Sequence, residues 1–391
     1  MRRYTDEEEL RMRLQRSVKD WTRSGLLRPD QGAQLEADLR VDLRRTGIML
    51  RLGLALFTTI LAGATVLLTW VSLGISGDSA TGILILIMGA ICFWAADRVV
   101  AGFRLYRYGV EEALVVASVG LCGVGVALIA NTLFRLHDST AIALSLAAAA
   151  AVSGYSYHRF GLWYAGVAAI VCAALIPFSF DGVSEPVRRL LVALMFGGAV
   201  AGSTVMATRS RNEVRREDAF TLRAAALAGL YLAINLQITG VPFAGYGRAV
   251  DGWFKWTTYA LIWIIPVLTL WRGVAGRDRK LMLAGLATAL ATLVTNKPYL
   301  GLPRQTWDPM LFGLLLMAVA LILRRWLASG PNGERRGFTA ARIVHSDVDA
   351  MRLASLASVA IHPDTDRPAP SPPPPEFGGG RSGGGGAGAD F

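Results

Sequence analysis

A series of apolar blocks between residues 48 and 327 constrains the fold more than any other feature of this sequence. Short polar or charged loops separate the blocks, and most blocks are long enough to cross the hydrocarbon layer of a bilayer as helices. Hydrophobic residues make up 53% of the 391-residue chain and charged residues only 18%, a balance that soluble proteins of this size do not have. The sequence therefore predicts an all-α, polytopic helical membrane protein.

The blocks predict about ten transmembrane helices in a domain that covers residues 48–327. We place the spans at Ile48–Leu73, Thr81–Ala96, Ala113–Phe134, Ala141–Tyr157, Leu162–Phe178, Leu190–Ala207, Leu222–Thr239, Thr257–Trp271, Leu281–Thr295 and Pro309–Leu323. No Asp, Glu, Lys or Arg lies near a predicted midplane. This pattern disfavours a carboxylate proton relay, because coupled carriers usually keep an ionisable group at that depth.

Basic residues are distributed unevenly between the two sets of loops. Thirteen Lys and Arg lie in the loops at 98–107, 159, 209–223 and 272–280, whereas the alternate loops hold seven. Since basic loops stay in the cytoplasm, both termini are expected to be cytoplasmic. The net charge of +11 is then explained by helix orientation, and nucleic acid is not an expected partner.

The first 47 residues predict a small cytoplasmic head that folds as a helical hairpin. Thr5 and Glu8 form a T-x-x-E capping box that opens the first helix, and Gly25 ends it. Pro29 suits the first turn of a second helix, which we expect to lead into the membrane. The apolar residues expected to line or close the hairpin are Leu10, Leu14, Val18, Trp21, Leu26, Leu27, Leu35, Leu39 and Leu43.

Two interpretations of the head remain open. It is either a cap that packs on itself or on a second copy, or a module that binds a protein partner. DNA binding is disfavoured, because the head carries eleven Lys and Arg against nine Asp and Glu.

After the spans, residues 328–362 predict a cytoplasmic linker with a short helix. Residues 363–391 predict a disordered Pro- and Gly-rich tail, which is either an inert tether or a tag for a partner.

A short motif in the head carries a resemblance to a known family. The residues Trp21, Gly25, Leu26, Leu27, Asp30 and Gln31 form the pattern W-x3-G-L-L-x2-D-Q before a helix that enters the membrane. This pattern resembles the start of domain-of-unknown-function family 2157, a family of bacterial membrane proteins. The resemblance covers about the first 60 residues and implies a multi-pass protein of the bacterial inner membrane. It implies no activity, so no functional residue is transferred.

Two loops on the predicted outer face, 246–256 and 297–309, combine aromatic residues with charges. Their candidate ligand-binding residues are Arg248, Asp251, Trp253, Lys297, Tyr299, Arg304, Trp307 and Asp308. Aromatic planes beside fixed charges suit a sugar ring or a lipid phosphate. The alternative is an interfacial aromatic belt with ordinary loop folding, because Trp and Tyr gather at the bilayer surface without any ligand.

The sequence contains no recognisable catalytic motif and no local spacing for a metal site or a cofactor. Its three cysteines, Cys92, Cys122 and Cys172, lie inside apolar blocks and are expected to be buried thiols. We therefore expect a non-enzymatic membrane protein with a scaffold, sensor or assembly role. The second hypothesis is a transporter or a lipid- or glycan-handling protein that uses the two outer loops, and a third, an intramembrane enzyme, has no motif behind it.

Overall fold

The computed structural model describes residues 3–23, 25–44, 46–180, 182–210, 212–238, 252–302, 305, 307–330, 334–335 and 338–339. Twelve α-helices fill most of this part of the chain: α1 (Asp6–Arg23), α2 (Pro29–Asp38), α3 (Ile48–Ser72), α4 (Asp78–Phe103), α5 (Val110–Thr132), α6 (Asp138–Phe160), α7 (Trp163–Leu175), α8 (Glu185–Arg209), α9 (Glu213–Ile234), α10 (Trp253–Ala275), α11 (Arg279–Tyr299) and α12 (Asp308–Ala328). A 3-10 turn, Ile176–Ser179, follows α7. After α12, the short strands β1 (Glu334–Arg335) and β2 (Phe338–Thr339) pair antiparallel.

The head forms the predicted helical hairpin, and the capping box at its start is confirmed. The Thr5 N–H donates to Glu8 at 2.9 Å, and the Glu8 N–H donates to the Thr5 hydroxyl at 3.2 Å. Gly25 adopts φ +78°, a left-handed conformation that suits glycine at the end of a helix. The core of the hairpin consists of Leu14, Val18, Trp21 and Leu39, with Leu10, Leu27 and Leu35 packed against it.

Two expectations about the head were wrong in detail. Leu26 does not help to close the hairpin, because about half of its surface is exposed. The second helix does not lead into the membrane either: α2 ends at Asp38, and the chain reaches α3 through a non-helical link. Within that link, Arg44 pairs with Leu105 in a parallel β-bridge, which ties the link to the turn between α4 and α5.

Each predicted apolar block lies within a helix or largely overlaps one, and consecutive helices mostly pack as antiparallel hairpins. Within the described residues, six helices are long and apolar enough to cross a membrane: α3, α4, α5, α6, α8 and α10. The predicted fifth block is divided between α7 and the 3-10 turn at Pro177, and it is classed as a shorter apolar helix.

Helix α9 differs most from its predicted bounds. It begins at Glu213 instead of Leu222 and ends at Ile234 instead of Thr239. Its first turns are rich in charges that do not interrupt the helical hydrogen bonding, so the helix extends beyond the apolar block toward the head. Its apolar part, from about residue 222 to 234, is shorter than a full span needs.

Glycines bring α4 and α5 into close contact. A Cβ added at Gly125 would lie 2.8 Å from the Leu86 nitrogen and 2.9 Å from the Gly82 oxygen, which are both backbone atoms of α4. The absence of a side chain at Gly125 thus allows the two helix backbones to approach closely. At Gly120, in the same helix, nothing lies within 4 Å.

The predicted linker and tail are mostly outside the described residues. Residues 340–391, which include the predicted short helix and the predicted disordered tail, are not among them. The short β1–β2 hairpin lies in the segment that was predicted to be a polar linker. This hairpin contacts α12.

The α4–α5 contact gives a matched pair of substitutions. Gly125→Ala should destabilise the protein by about 1–3 kcal/mol, because the added methyl group meets backbone that cannot rotate away. Gly120→Ala adds the same methyl group where there is open space and should not lower stability. Thermal unfolding in detergent would check this difference, and equal effects of the two substitutions would contradict the packing described here.

Candidate functional site

The first predicted outer loop is only partly within the described residues. Arg248 and Asp251 lie in 239–251, which the structure does not describe. Trp253 is the first residue of α10 and not part of a loop. It is 76% exposed and packs edge-on against Phe254, with ring centroids 5.8 Å apart.

The second predicted loop is shorter than expected, because α11 continues to Tyr299 through Pro298. Lys297 and Tyr299 are therefore helical residues, whereas Arg304 lies outside the described residues. Trp307 precedes α12, and Asp308 is its first residue. The expectation of one continuous loop over 297–309 was wrong for its first three and its last two positions, which are helical.

Three of the candidate residues come together where α11 meets α12. The Lys297 ammonium group forms an ion pair with Asp308 and lies 5.2 Å from the centre of the Trp307 ring. Asp308 also accepts a hydrogen bond of 2.9 Å from the Gln305 N–H. These contacts join the two helices, and they place a cation, an aromatic ring and a carboxylate at the end of the bundle where Trp253 is exposed.

Tyr299 is not part of this cluster, because it is buried between helices with only 2% of its surface exposed. Its hydroxyl accepts a hydrogen bond of 2.7 Å from the Leu236 N–H and donates one of 3.3 Å to the Ile234 carbonyl. It therefore pairs backbone groups that the end of α9 would otherwise leave unpaired. These hydrogen bonds give Tyr299 a structural role that does not depend on a ligand.

A buried polar network beside Tyr299 joins α9 to α11. The Asn235 amide group, fully buried, donates to the Tyr231 hydroxyl and to the Thr295 hydroxyl, both at 2.9 Å. The Tyr231 hydroxyl is also 2.9 Å from the Thr292 hydroxyl. Asn235 thus forms an interhelical hydrogen bond with α11. This network was not predicted from the sequence, although Thr288, Thr292 and Thr295 recur at spacings of four and three residues on α11.

The richest cluster of charged contacts lies at the opposite end, where the head meets the helix bundle. Asp97, near the end of α4, accepts hydrogen bonds from two arginines that are far apart in sequence. The Nε of Arg3, in the head, lies 2.7 Å from Asp97 Oδ1, and the Nε of Arg159, in the last turn of α6, lies 2.9 Å from the same oxygen. The Arg3 N–H also donates to the Arg159 carbonyl at 2.9 Å.

Further contacts extend this head–bundle junction to the other helices at the same end. Arg104, in the α4–α5 turn, forms an ion pair with Glu8 of the head. The Tyr4 hydroxyl donates a hydrogen bond of 2.5 Å to the Leu105 carbonyl. Arg13 of the head forms an ion pair with Glu217, in the polar part of α9.

Apolar contacts accompany these charges. Tyr4 and Met12 of the head are buried in one cluster with Ala96, Val100 and Phe160 of the bundle. The Tyr4 ring packs edge-on against Tyr106, with centroids 5.1 Å apart. Burial of Tyr4, followed by the nearby Glu111 charge, raises the pKa of its phenol, so this hydroxyl stays a hydrogen-bond donor.

Glu8 makes the junction sensitive to acid. Burial by itself would raise its pKa, but hydrogen bonds from Thr5 and Arg104 outweigh that effect and hold the pKa below the ordinary value of 4.5. Because the pKa is lowered in the folded protein, the charged carboxylate stabilises both the start of α1, through Thr5, and the docked head, through Arg104, above pH 4.5. That contribution is lost as the pH falls through the lowered value.

These observations define a class: a bundle of apolar helices, compatible with a membrane protein, that carries a small helical head docked on one end. No family model matches the chain, and no curated protein or solved structure is significantly similar to it. The resemblance of the head to family 2157 therefore stays a prediction.

A measurement of protein stability can distinguish a structural role of Tyr299 from a role in ligand binding. Tyr299→Phe should destabilise the protein by about 1–3 kcal/mol, because it leaves the part-buried Leu236 N–H and the Ile234 carbonyl without this hydroxyl as a partner. Tyr155→Phe removes a hydroxyl from a half-exposed tyrosine and should have little effect. Thermal unfolding of both variants in detergent checks this, and a Tyr299→Phe protein as stable as the wild type would contradict the structural role.

Proposed function

We propose that this chain is a non-enzymatic, multi-pass protein of the bacterial inner membrane whose docked head gives it a sensor or scaffold role. The observation that carries the proposal is the position of Asp97 between Arg3 and Arg159. One carboxylate of the bundle binds the start of the head and the end of another helix at the same time. A change that removes the Asp97 charge, or a molecule that competes for it, would alter the docking of the head on the bundle.

The proposal includes ten membrane passes, α3 to α12, with both termini of the chain on the cytoplasmic side. Its support is the location of the basic loops. Three of the four basic loops contact the head: 98–107 through Arg104, 159 through the backbone of Arg3, and 209–223 through Arg13. The fourth, 272–280, contacts α9 beside that junction, where Lys280 lies 3.5 Å from Glu217. Basic loops tend to stay in the cytoplasm. Since the head lies at the same end of the bundle as the basic loops, this tendency supports a cytoplasmic position for both.

The energetics suit a reversible contact. Partly exposed ion pairs contribute roughly 0–1 kcal/mol each, and the buried parts of Tyr4 and Met12 contribute about 1.5–3 kcal/mol each. The sum is a few kcal/mol, part of which is spent in ordering the head. A contact of this size can be shifted by a modest change in charge or by a partner that competes for the head, which is what a sensor or an assembly factor needs.

The first experiment removes the central charge. In Asp97→Asn, the head should be cleaved by trypsin several times faster in membrane vesicles that expose the cytoplasmic side, since Arg3 and Arg159 lose their shared partner. Asp20→Asn is the matched control, because Asp20 is exposed and, among the described residues, forms an ion pair only with Arg23 in the same helix. Equal cleavage of the two variants and the wild type would contradict the proposal.

A head deletion tests whether docking matters to the cell. A chain without residues 1–45 should insert into the membrane at a normal level, because the bundle has its own core, yet it should fail to complement a null strain. Full complementation by the headless chain would count against a sensor or scaffold role for the head.

The second candidate function is a transporter or a lipid- or glycan-handling protein with a site at the outer ends of α10, α11 and α12. The observation that favours it is the cluster of Lys297, Trp307 and Asp308 together with the exposed ring of Trp253. A cation over an aromatic ring and a nearby carboxylate suit a sugar or a phosphate ester.

That candidate is tested by single substitutions of Arg248, Trp253, Arg304 and Trp307 to Ala. If the outer site operates, at least one substitution should abolish the complementing activity while the protein level stays unchanged. Trp94→Ala is the matched control, since Trp94 is an exposed tryptophan in the half of α4 nearer the head. Normal activity in all four variants would remove the outer site from consideration.

A further inference from the structure

A groove of about 270 Å³ opens at the end of α10 that lies nearest the head, and nothing in the proposed function uses it. Its lining consists of Trp271, Val274, Ala275 and Arg277. One water molecule needs about 15 Å³ of such volume, so the groove is large enough for a small polar group such as a phosphate ester. The groove faces outward, and Trp271 is 62% exposed beside it.

The charges around the groove are arranged asymmetrically. Arg272, Arg277 and Arg279 are exposed, whereas the one acidic residue among them, Asp278, is buried. Asp278 faces inward, where it binds Arg223 at 2.7 Å and accepts the Lys280 N–H at 3.0 Å as the cap of α11. Its charge is therefore already neutralised by the protein, and the exposed charges within residues 272–280 are all positive.

Arg277 occupies a position where glycine would be easier to accommodate. Its φ of +50° is left-handed, a conformation that is strained for an L-residue with a side chain. The backbone there is held by the hydrogen bond from the Asp278 N–H to the Gly273 carbonyl, 2.9 Å long. Within the described part of the chain, the Arg277 guanidinium group has no hydrogen bond, ion pair or ring contact to offset that strain.

A continuous apolar track leads from the groove along α10 toward the bilayer interior. Ile264, Val267, Leu268, Trp271 and Val274 recur at spacings of three, one, three and three residues, which puts them on one helix face. All five are exposed in the structure. From Ile264 to Ala275 the helix rises about 16 Å, a length comparable to that of a lipid acyl chain.

We propose that this groove binds an anionic phospholipid from the leaflet on the head's side of the membrane. Arg277, which lines the groove, and Arg272, which is not in the lining but lies beside the groove residue Trp271, bind the phosphate, which their guanidinium groups match with paired N–H donors. Trp271 lies at the level of the headgroup, with Arg272 5.9 Å from the centre of its ring. The acyl chain lies along the exposed face of α10. The site is separate from the outer cluster of Lys297, Trp307 and Asp308.

Binding is tested by native mass spectrometry of the full chain released from mixed micelles. The probes are phosphatidylglycerol and phosphatidylcholine with identical acyl chains. The wild type should retain phosphatidylglycerol in preference to phosphatidylcholine. The double variant Arg272→Gln/Arg277→Gln should retain it about 25-fold less, at roughly five-fold for each arginine near a membrane surface. Arg98→Gln is the matched control, since Arg98 lies over the exposed Trp94 at 5.4 Å and is not part of the groove lining; it should bind like the wild type.

Three results would overturn the proposal. The first is equal retention of the two lipids by the wild type, and the second is unchanged retention by the double variant. The third is displacement of the bound lipid by millimolar glycerol phosphate, which would make a free phosphate ester the ligand.

A second measurement does not depend on the folding of the charge variant. Brominated phosphatidylglycerol should quench the fluorescence of the wild type more than that of Trp271→Phe, and brominated phosphatidylcholine should not; equal quenching of both proteins would also overturn the proposal.

Discussion

A helix in hydrocarbon has to satisfy its backbone hydrogen bonds by itself, and the arrangement of this chain follows from that constraint. Apolar side chains surround each helical backbone, and polar groups either lie at the helix ends or find partners inside the bundle. The end of α9 shows the second solution: Arg189, almost fully buried, donates to the Ala233 carbonyl at 3.0 Å, and Tyr299 pairs with the next groups along the chain. The other solution, polar groups at the helix ends, produces the head–bundle junction. Charged residues excluded from the apolar layer lie at the helix ends, where the head contacts them.

The junction depends on pairs that are remote in sequence. Asp97 is 94 residues from Arg3 and 62 from Arg159, and the three side chains meet because α4 and α6 end at the same level. The polar half of α9 extends the same surface, so that Arg13 of the head meets Glu217. The head is thus positioned by the ends of several helices at once, and the apolar contacts of Tyr4 and Met12 make that position specific.

Local patterns in the sequence predicted much of this fold. The capping box at Thr5, the hairpin core around Trp21 and the helical nature of the apolar blocks depend on neighbouring residues, and all are confirmed. The bounds of α9 and α11 could not be predicted, because hydropathy marks where a helix is apolar and not where its hydrogen bonding stops. The partners of Asp97 and Tyr299 could not be predicted either, since no local spacing records which helix ends lie together. Of the candidate outer residues, Lys297, Trp307 and Asp308 cluster, Tyr299 is buried elsewhere, and the others are exposed or outside the described residues.

The central claim is that the ion pairs around Asp97, together with the burial of Tyr4 and Met12, hold the head on the bundle, and a distance measurement between the two tests it most directly. Spin labels at Gln34→Cys in the head and Thr208→Cys in α8, both exposed, can be introduced after the three native cysteines are replaced by alanine. In lipid bilayers the account predicts one narrow distance distribution. It should broaden in Asp97→Asn and as the salt concentration rises, because partly exposed charges are screened. A broad distribution in the wild type, or a narrow one that Asp97→Asn leaves unchanged, would contradict the account.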